Sequence, residues 1–274
     1  MARAQETISP AIKKKVAALC RIVEKDNRVR MLFAVENGSR AWRLSSSNSD
    51  YDVRFVFARP IEDYISINPL PDVISVAFDK GGNKVSIERS LIDFSGFDVI
   101  KFVRMLSASN PTTIEWLQSD VVYYGEQNRV FREFALKHFN KTSLYFHYKS
   151  MCRQNYLKYL KSGNNVTYKK YLYAMRGLIN AKWVVIKRTV PPIDFGEALQ
   201  QLKSHIPKQV VAKLQEIIRL KSSGLEKDIV QNIVEIDEYI ENFLKDDSEA
   251  PKEKAYTTLR ELDAELKKIV LSQK

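Results

Sequence analysis

Several residue and segment types are scarce in this chain of 274 residues. Its two cysteines, Cys20 and Cys152, lie at apolar positions of helical patterns, so we predict buried thiols rather than a disulfide. The three histidines are scattered, which gives no zinc-type ligand spacing. No apolar run approaches the roughly 18 residues of a membrane span, and residues 1–10 lack the apolar core of a signal peptide. We therefore expect a cytoplasmic protein.

Acidic side chains are missing from sixty consecutive residues, 134–193. The same stretch carries twelve lysines and arginines and seven of the thirteen tyrosines. Because these twelve charges exceed the net charge of +11, the rest of the chain is close to neutral. Basic residues interleaved with aromatic ones are typical of surfaces that follow a phosphate backbone and stack bases. We expect this stretch to contact nucleic acid or a triphosphate; the alternative is a solvated helical face whose tyrosines are buried.

A turn after the first apolar strand is suited to phosphate. Residues 31–35 predict a buried strand, and Gly38 follows it, where a glycine lets the backbone turn and approach a ligand closely. Ser39 offers a hydroxyl, and Arg40 offers a bidentate cation. We predict that these three residues bind the phosphates of a nucleotide.

A pair of carboxylates opens the next apolar strand. Asp50 and Asp52 stand at positions i and i+2, so on a strand they share one face with about 6.6 Å between their Cα atoms. Unpaired carboxylates are costly at the start of an apolar strand unless a cation or solvent meets them. Two carboxylates on one face can ligate a pair of divalent cations about 3.5–4 Å apart, which is the arrangement that drives in-line displacement at phosphorus.

These motifs carry a family resemblance. Residues 36–42 (Glu-Asn-Gly-Ser-Arg-Ala-Trp) and 49–55 (Ser-Asp-Tyr-Asp-Val-Arg-Phe) resemble the signature of nucleotidyltransferases of the DNA polymerase beta superfamily, and more narrowly the bacterial RNA repair pathway DNA polymerase beta family. Segments 96–101, 110–117, 147–148 and 169–173 fit the same group, so the resemblance covers roughly residues 30 to 200. Arg43 stands where the family usually has glycine, and Phe97 where tryptophan is more usual.

The resemblance implies a two-metal site and a third carboxylate. Asp50 and Asp52 would bind two Mg²⁺ ions, with Mn²⁺ as an alternative, and an NTP would be the substrate. Superfamily members place the third carboxylate on a strand just before a helix, and Asp93 fits that position. Glu88 is the alternative on the same predicted strand, while Asp98 could be only a helix cap. Because Glu88 and Asp93 are five residues apart, they face opposite sides of a regular strand; we favour Asp93.

Further side chains are candidates for contact with the nucleotide. A triphosphate needs cations beyond the metals. Lys101 matches a basic position of the family, and Lys170 and Arg176 lie in the stretch without acidic residues, although each is also explained as a surface charge. His147 could stack on the substrate or be a structural histidine of a helix.

The element pattern predicts an α+β fold with a mixed sheet. We expect a catalytic domain over residues 1–125, with strands near 31–36, 53–58, 73–78 and 84–94, a break at Gly96 and a helix after it. A helical domain is expected over 126–274, including a helix near 168–187, a charged linker at 245–251 and a last helix near 253–271.

The sequence thus indicates a metal-dependent nucleotidyltransferase that moves an NMP from an NTP to a hydroxyl and releases pyrophosphate. The family name implies RNA as acceptor, and the basic stretch agrees. Three alternatives stay open. The first is modification of a small molecule such as an aminoglycoside, for which an acidic acceptor pocket is expected. The others are transfer of AMP to a protein side chain, and a non-catalytic RNA-binding protein.

Overall fold

A computed structural model describes residues 8–46, 49–225, 228–254 and 259–273. The first half of the chain contains both helices and strands. In chain order they are α1 (Pro10–Asn27), β1 (Arg30–Asn37), α2 (Gly38–Ala41), β2 (Tyr51–Ala58), α3 (Ile61–Tyr64), β3 (Val73–Phe78), β4 (Lys84–Val85), β5 (Ile92–Asp98), α4 (Val99–Ser107), α5 (Pro111–Gln118) and β6 (Val122–Gly125).

The second half of the chain is helical. Its α-helices are α6 (Arg129–Lys137), α7 (Lys141–Tyr159), α8 (Tyr168–Lys187), α9 (Phe195–Leu202), α10 (Lys208–Ser222), α11 (Val234–Lys245) and α12 (Arg260–Leu271). Short side chains cap several of them. Asn140 directly precedes α7 and Thr167 directly precedes α8, and each side chain accepts a backbone N–H of the first turn. The helix predicted at 168–187 is confirmed at both ends.

The six strands form one mixed sheet in the order β4-β3-β5-β2-β1-β6. Strands β2 and β5 run parallel, while the other neighbouring strands are antiparallel. The register of the parallel pair sets Asp52 beside Asp93. The predicted α+β class with a mixed sheet is confirmed.

Helices cover both faces of the sheet. On one face α1 contributes Val16, Leu19 and Val23 to a core with aromatic residues of β2 and β5, such as Phe55 and Phe94. The other face packs on α4, α5 and α6, where Trp116 stacks on Phe97 with 4.6 Å between ring centroids. A third core lies among α7, α8, α9, α10 and α11. The last helix, α12, returns to pack on α4 and α6.

Three element predictions need correction. Residues 84–94 do not form one strand, because a 3₁₀ turn at Ile87–Arg89 separates β4 from β5. Gly96 does not break a strand; it lies inside β5, where the ring of Phe55 packs over a position without a side chain. The last helix begins at Arg260 rather than near 253. Among the described residues, we find no helix with the length and apolar character that crossing a membrane requires.

Candidate active site

The turn after β1 brings the backbone against a carboxylate. Gly38 has a φ of 63°, in the left-handed region that glycine adopts at little cost. A Cβ atom at this position would collide with the Asp52 carboxylate. The close approach of α2 to β2 therefore requires glycine here. Ser39, the next residue, is buried at 7% exposure, and its side chain hydrogen-bonds to the Tyr173 hydroxyl.

Two carboxylates face each other across the parallel strands and share one cation. Arg54 Nη2 lies 2.9 Å from Asp52 Oδ1 and 2.8 Å from Asp93 Oδ2. Asp50 is exposed and immediately precedes β2. Burial raises the pKa of Asp52, and the charges of Asp93 and Asp50 act in the same direction, while Arg54 and Lys169 oppose them. The three carboxylates thus form one electrostatically coupled group.

A fourth carboxylate holds the backbone at the start of β2. Glu36 is fully buried and accepts the Asp52 backbone N–H at 3.0 Å, and the Tyr123 hydroxyl donates to its other oxygen. Burial raises the pKa of Glu36 to about 8. Sequence reasoning quoted Glu36 only as part of the first motif. Its buried contacts show that it positions the backbone of Asp52.

Helix α8 supplies two side chains that sequence reasoning did not assign to the site. Lys169 and Tyr173 are one helical turn apart and hydrogen-bond to each other, and the charge of Lys169 lowers the pKa of Asp52. The Tyr173 ring also packs edge-on against Trp42, with 5.7 Å between centroids. The signal was present in the segment 169–173, whose i, i+4 spacing puts these residues on one face of a helix.

Arg40 holds the segment that leads into β2. Its guanidinium donates to the carbonyl oxygens of Asp50 at 3.2 Å and Ser49 at 2.7 Å, and it stacks 4.1 Å from the Tyr51 ring. In this arrangement Arg40 shapes the backbone that presents Asp50. Its predicted contact with phosphate stays a prediction.

The structure does not bring Lys101 to the carboxylates. Asp93 lies near the start of β5, whereas Lys101 follows the end of that strand, about 16 Å farther along it. There Lys101 pairs with Asp72 at 3.0 Å. Lys101 and the carboxylates thus lie towards opposite ends of β5, and the predicted contact of Lys101 with the nucleotide stays a prediction.

Lys170 and Arg176 are also placed elsewhere. Lys170 turns towards α7, where it donates to the Asn165 carbonyl at 2.7 Å and lies over the Tyr159 ring. Arg176 is 3% exposed, forms an ion pair with Glu115 and stacks 3.8 Å from the Trp42 ring. Arg176 is therefore a buried cation with a carboxylate partner, and its predicted contact with the nucleotide stays a prediction.

Three other candidates have contacts or positions that the structure shows directly. Glu88 is exposed in the 3₁₀ turn and does not share a strand with Asp93, so the argument that compared their positions along one strand was wrong. The residue that it favoured, Asp93, nevertheless faces Asp52. Asp98 caps α4 by accepting the Ile100 N–H. His147 is half-buried and hydrogen-bonds to the Ala108 backbone at the end of α4, and burial lowers its pKa. The structural interpretation of His147 agrees with this contact.

The positive charge of the stretch without acidic residues is partly balanced by contacts that composition does not show. Acidic residues from outside the stretch pair with four of its twelve cations: Lys141 with Glu253, Lys149 with Asp247, Arg176 with Glu115, and Lys182 with Glu249. Three of these partners belong to the segment before α12, which sequence reasoning treated as a charged linker and the start of a helix. Three of the twelve cations therefore bind this segment to α7 and α8.

Residues 12–268 match the RNA repair pathway DNA polymerase beta family. The chain belongs to that family. Membership confirms the resemblance seen in the first two motifs and extends it over most of the sequence. Transfer of a nucleotide is the general activity of such polymerase-beta-like proteins.

Similar proteins include one curated sequence and two solved structures. The uncharacterized protein YcgL of Bacillus subtilis (strain 168) is 33% identical over 266 residues, covering 95% of this chain and 96% of YcgL. The spectinomycin adenyltransferase AAD(9) from Enterococcus faecialis, solved with ATP and spectinomycin, is 13% identical with a TM-score of 0.47, covering 85% and 98%. A nucleotidyltransferase-like protein from Exiguobacterium sibiricum 255-15 is 13% identical with a TM-score of 0.32, covering 84% and 74%.

The residues at the start of β2 and β5 suit a hard divalent cation. Magnesium prefers carboxylate oxygens, which Asp50, Asp52 and Asp93 supply. In the described part of the chain, no three acidic, histidine or cysteine side chains converge into a ready metal cluster. Arg54 explains this arrangement, because its guanidinium holds the facing oxygens of Asp52 and Asp93.

The Arg176–Glu115 pair generates a prediction about stability. Arg176→Met leaves Glu115 buried without its cation, so we expect the free energy of unfolding to fall by about 3–5 kcal/mol. Changing both residues to methionine should recover most of that loss. Urea unfolding measures both effects. Lys182→Met is the control, because its partner Glu249 is exposed and the pair is worth less than about 1 kcal/mol. A double variant no more stable than Arg176→Met would contradict the assignment.

Proposed function

We propose that this protein transfers an NMP from an NTP to a hydroxyl of RNA and releases pyrophosphate. The observation that supports this most strongly is the convergence of two sets of groups at the start of β2. Asp50, Asp52 and Asp93 form the acidic set, and Ser39 with Lys169 forms the set that suits phosphate. Paired carboxylates beside a phosphate site are what in-line displacement at phosphorus requires.

Asp50 and Asp52 are the residues that would hold Mg²⁺, with Asp93 as the third ligand. The bound cations would neutralise charge on the triphosphate and lower the pKa of the attacking hydroxyl. Arg54 must release Asp93 before that carboxylate can act on a substrate. Until then, the guanidinium compensates part of the charge of two partly buried carboxylates.

The reaction forms one bond and breaks one. The acceptor oxygen attacks the α-phosphorus, and the bond from this phosphorus to the bridging oxygen of the β-phosphate breaks. The Asp93 carboxylate accepts the hydroxyl proton, and pyrophosphate leaves with the electron pair. Asp93 suits this role because its backbone is fixed beside Asp52 by the parallel register.

The triphosphate would lie between α2 and the start of α8. Ser39 offers its hydroxyl, and Gly38 lets the backbone come close. Lys169 is in the first turn of α8, where the helix dipole adds positive potential. Together these groups compensate phosphate charge that the cations leave unneutralised.

Incubation with each labelled NTP, Mg²⁺ and mixed RNA tests the proposal. We expect a labelled RNA product and released pyrophosphate. Asp50→Ala and Asp52→Ala should abolish both with little loss of folding, because removing one of several crowded carboxylates relieves repulsion in the metal-free protein. Label that appears on protein, on an added aminoglycoside or on nothing would overturn the RNA assignment.

Asp93 and Glu88 give a matched pair. Asp93→Asn should lower turnover by orders of magnitude while NTP binding persists, since the phosphate contacts remain and the base is lost. Glu88→Gln should be close to neutral, because this side chain is exposed in the 3₁₀ turn. Single-turnover kinetics and NTP binding measure the two properties separately. The reverse ranking would remove Asp93 from the mechanism.

Lys169 and Lys170 form a second matched pair. Lys169→Met should weaken NTP binding about tenfold or more, because a charge-assisted contact to phosphate is lost. Lys170→Met removes the same charge from a neighbour that faces α7, so binding should change little. Fluorescent nucleotide titration at constant ionic strength measures both. Equal losses would indicate a general effect of charge instead of a contact.

Arg54 allows a test that does not depend on activity. In metal-free buffer, Arg54→Met should lower the melting temperature, because Asp52 and Asp93 lose their shared cation. Added Mn²⁺ should stabilise this variant more than the wild type, since the cation no longer competes with the guanidinium. Arg89→Met, at an exposed arginine, is the control. Equal Mn²⁺-induced shifts in all three proteins would contradict competition at this site.

A further inference from the structure

A large cleft opens beside the residues that lead into β2. Its volume is about 1510 Å³, larger than the roughly 300–1,000 Å³ typical of small-ligand pockets. Arg40 is one of its lining residues, and the same side chain holds the carbonyl oxygens of Ser49 and Asp50. The other walls come from the segment after α2, from the end of α5 and the residues that follow it, and from α6, α9 and α10. The cleft therefore shares Arg40 with the candidate active site, although Asp50, Asp52 and Asp93 do not line it.

The charged side chains of the cleft are four arginines and three acids. The acids are engaged locally: Asp120 pairs with Arg43, Asp194 caps α9 by accepting the Glu197 N–H, and Glu197 accepts from Gln201. By contrast, Arg132 and Arg219 are exposed, and within the described ranges neither has a carboxylate partner. The seven charged side chains sum to a net charge of +1, and the two exposed arginines, Arg132 and Arg219, supply positive charge that no ion pair among the described residues compensates.

Arg43 reaches the cleft from an unfavourable backbone conformation. Its φ of 59° lies in the left-handed region, which suits glycine better than a residue with a long side chain. Arg43 directly follows the C-cap of α2 in this conformation, Arg188 adopts the same conformation as the C-cap of α8, and Arg43 lines the cleft.

The walls between the arginines are apolar in part. Leu136, Leu199 and Ile218 line the cleft, and Leu136 is 44% exposed. Separated guanidinium groups suit successive phosphates, whereas apolar side chains and arginine planes suit the faces of unstacked bases. A small cationic acceptor would instead meet Arg132 and Arg219 without compensation.

We propose that this cleft binds the single-stranded end of an RNA acceptor, with Arg43, Arg132 and Arg219 contacting its phosphates. The proposal rests on the proposed function and deepens it. The three arginines lie outside residues 134–193, where composition alone had placed the RNA contact.

Salt dependence of binding tests the two arginines that lack acidic partners. The probe is a fluorescein-labelled 12-nucleotide single-stranded RNA, titrated at several salt concentrations. Each phosphate contact adds about 0.7 to the log–log slope, so Arg132→Gln with Arg219→Gln should reduce it by about 1.4. Arg153→Gln with Lys158→Gln removes two exposed charges of α7 outside the cleft and should leave the slope unchanged. Equal slopes for both double variants, or no RNA binding, would overturn the proposal.

Arg43 has a matched control in Arg188, which also has a left-handed backbone, at a φ of 60°, and is exposed outside the cleft. Glycine at either position relieves the same strain and removes the same charge. Arg43→Gly should weaken RNA binding about tenfold, whereas Arg188→Gly should leave it unchanged. Thermal melting should show that neither variant is destabilised. Equal RNA affinity of the two variants would remove Arg43 from the site.

A parallel titration with a fluorescent ATP analogue and Mg²⁺, without RNA, separates the two proposals. Nucleotide binding together with RNA binding that does not depend on the cleft arginines would overturn the cleft proposal alone. Failure of the wild-type protein to bind the nucleotide would overturn the proposed function. Nucleotide binding together with RNA binding that depends on the cleft arginines would support both.

Discussion

Glu115 is a carboxylate buried between the catalytic sheet and the helices, and three elements meet at it. Trp42, just after α2, donates its indole N–H at 3.3 Å, Arg176 of α8 forms the ion pair, and Tyr148 of α7 approaches at 3.5 Å. A buried charge is costly unless all its partners are in place. The pair therefore favours one arrangement of α2, α7 and α8, reinforced by the stacking of Arg176 on Trp42. This arrangement brings the first turn of α8, with Lys169, to the candidate site.

A second constraint acts at shorter range, in the sheet itself. The parallel register of β2 and β5 sets Asp52 beside Asp93, and Glu36 holds the Asp52 backbone from the neighbouring strand. Two facing carboxylates would repel each other, and Arg54 supplies the compensating charge from the same strand as Asp52. The metal-free protein thus keeps Asp52 and Asp93 together with less repulsion than two carboxylates alone would have. Any cation that binds there has to compete with a guanidinium already in position.

Local patterns predicted local features well. The bounds predicted for α8, between the turn residues 162–165 and the two prolines at 191–192, match the structure, and the apolar strands near 31–36 and 53–58 lie within β1 and β2. Features that depend on distant partners were not predictable in the same way. The break near Glu88 is a 3₁₀ turn, and Gly96 stays inside a strand because an aromatic ring from β2 packs over it. Lys169 was passed over for Lys170 because only the placement of α8 decides which of two adjacent lysines faces the site.

Charge composition misled for a related reason. A stretch with twelve cations and no acid suggests an open basic surface, yet the pairing acids come from Glu115 and from residues 247–253. Net charge is additive along a sequence, but electrostatic potential depends on which charges meet in space. Once these pairs are formed, two kinds of cation stay near α2: Lys169, whose charge acts on Asp52, and the arginines that line the cleft. Arg40, inside α2, belongs to both regions, because it lines the cleft and also holds the backbone of Ser49 and Asp50. The potential near the candidate site is therefore decided by a few side chains whose placement depends on distant contacts, which is why the composition of one stretch does not predict it.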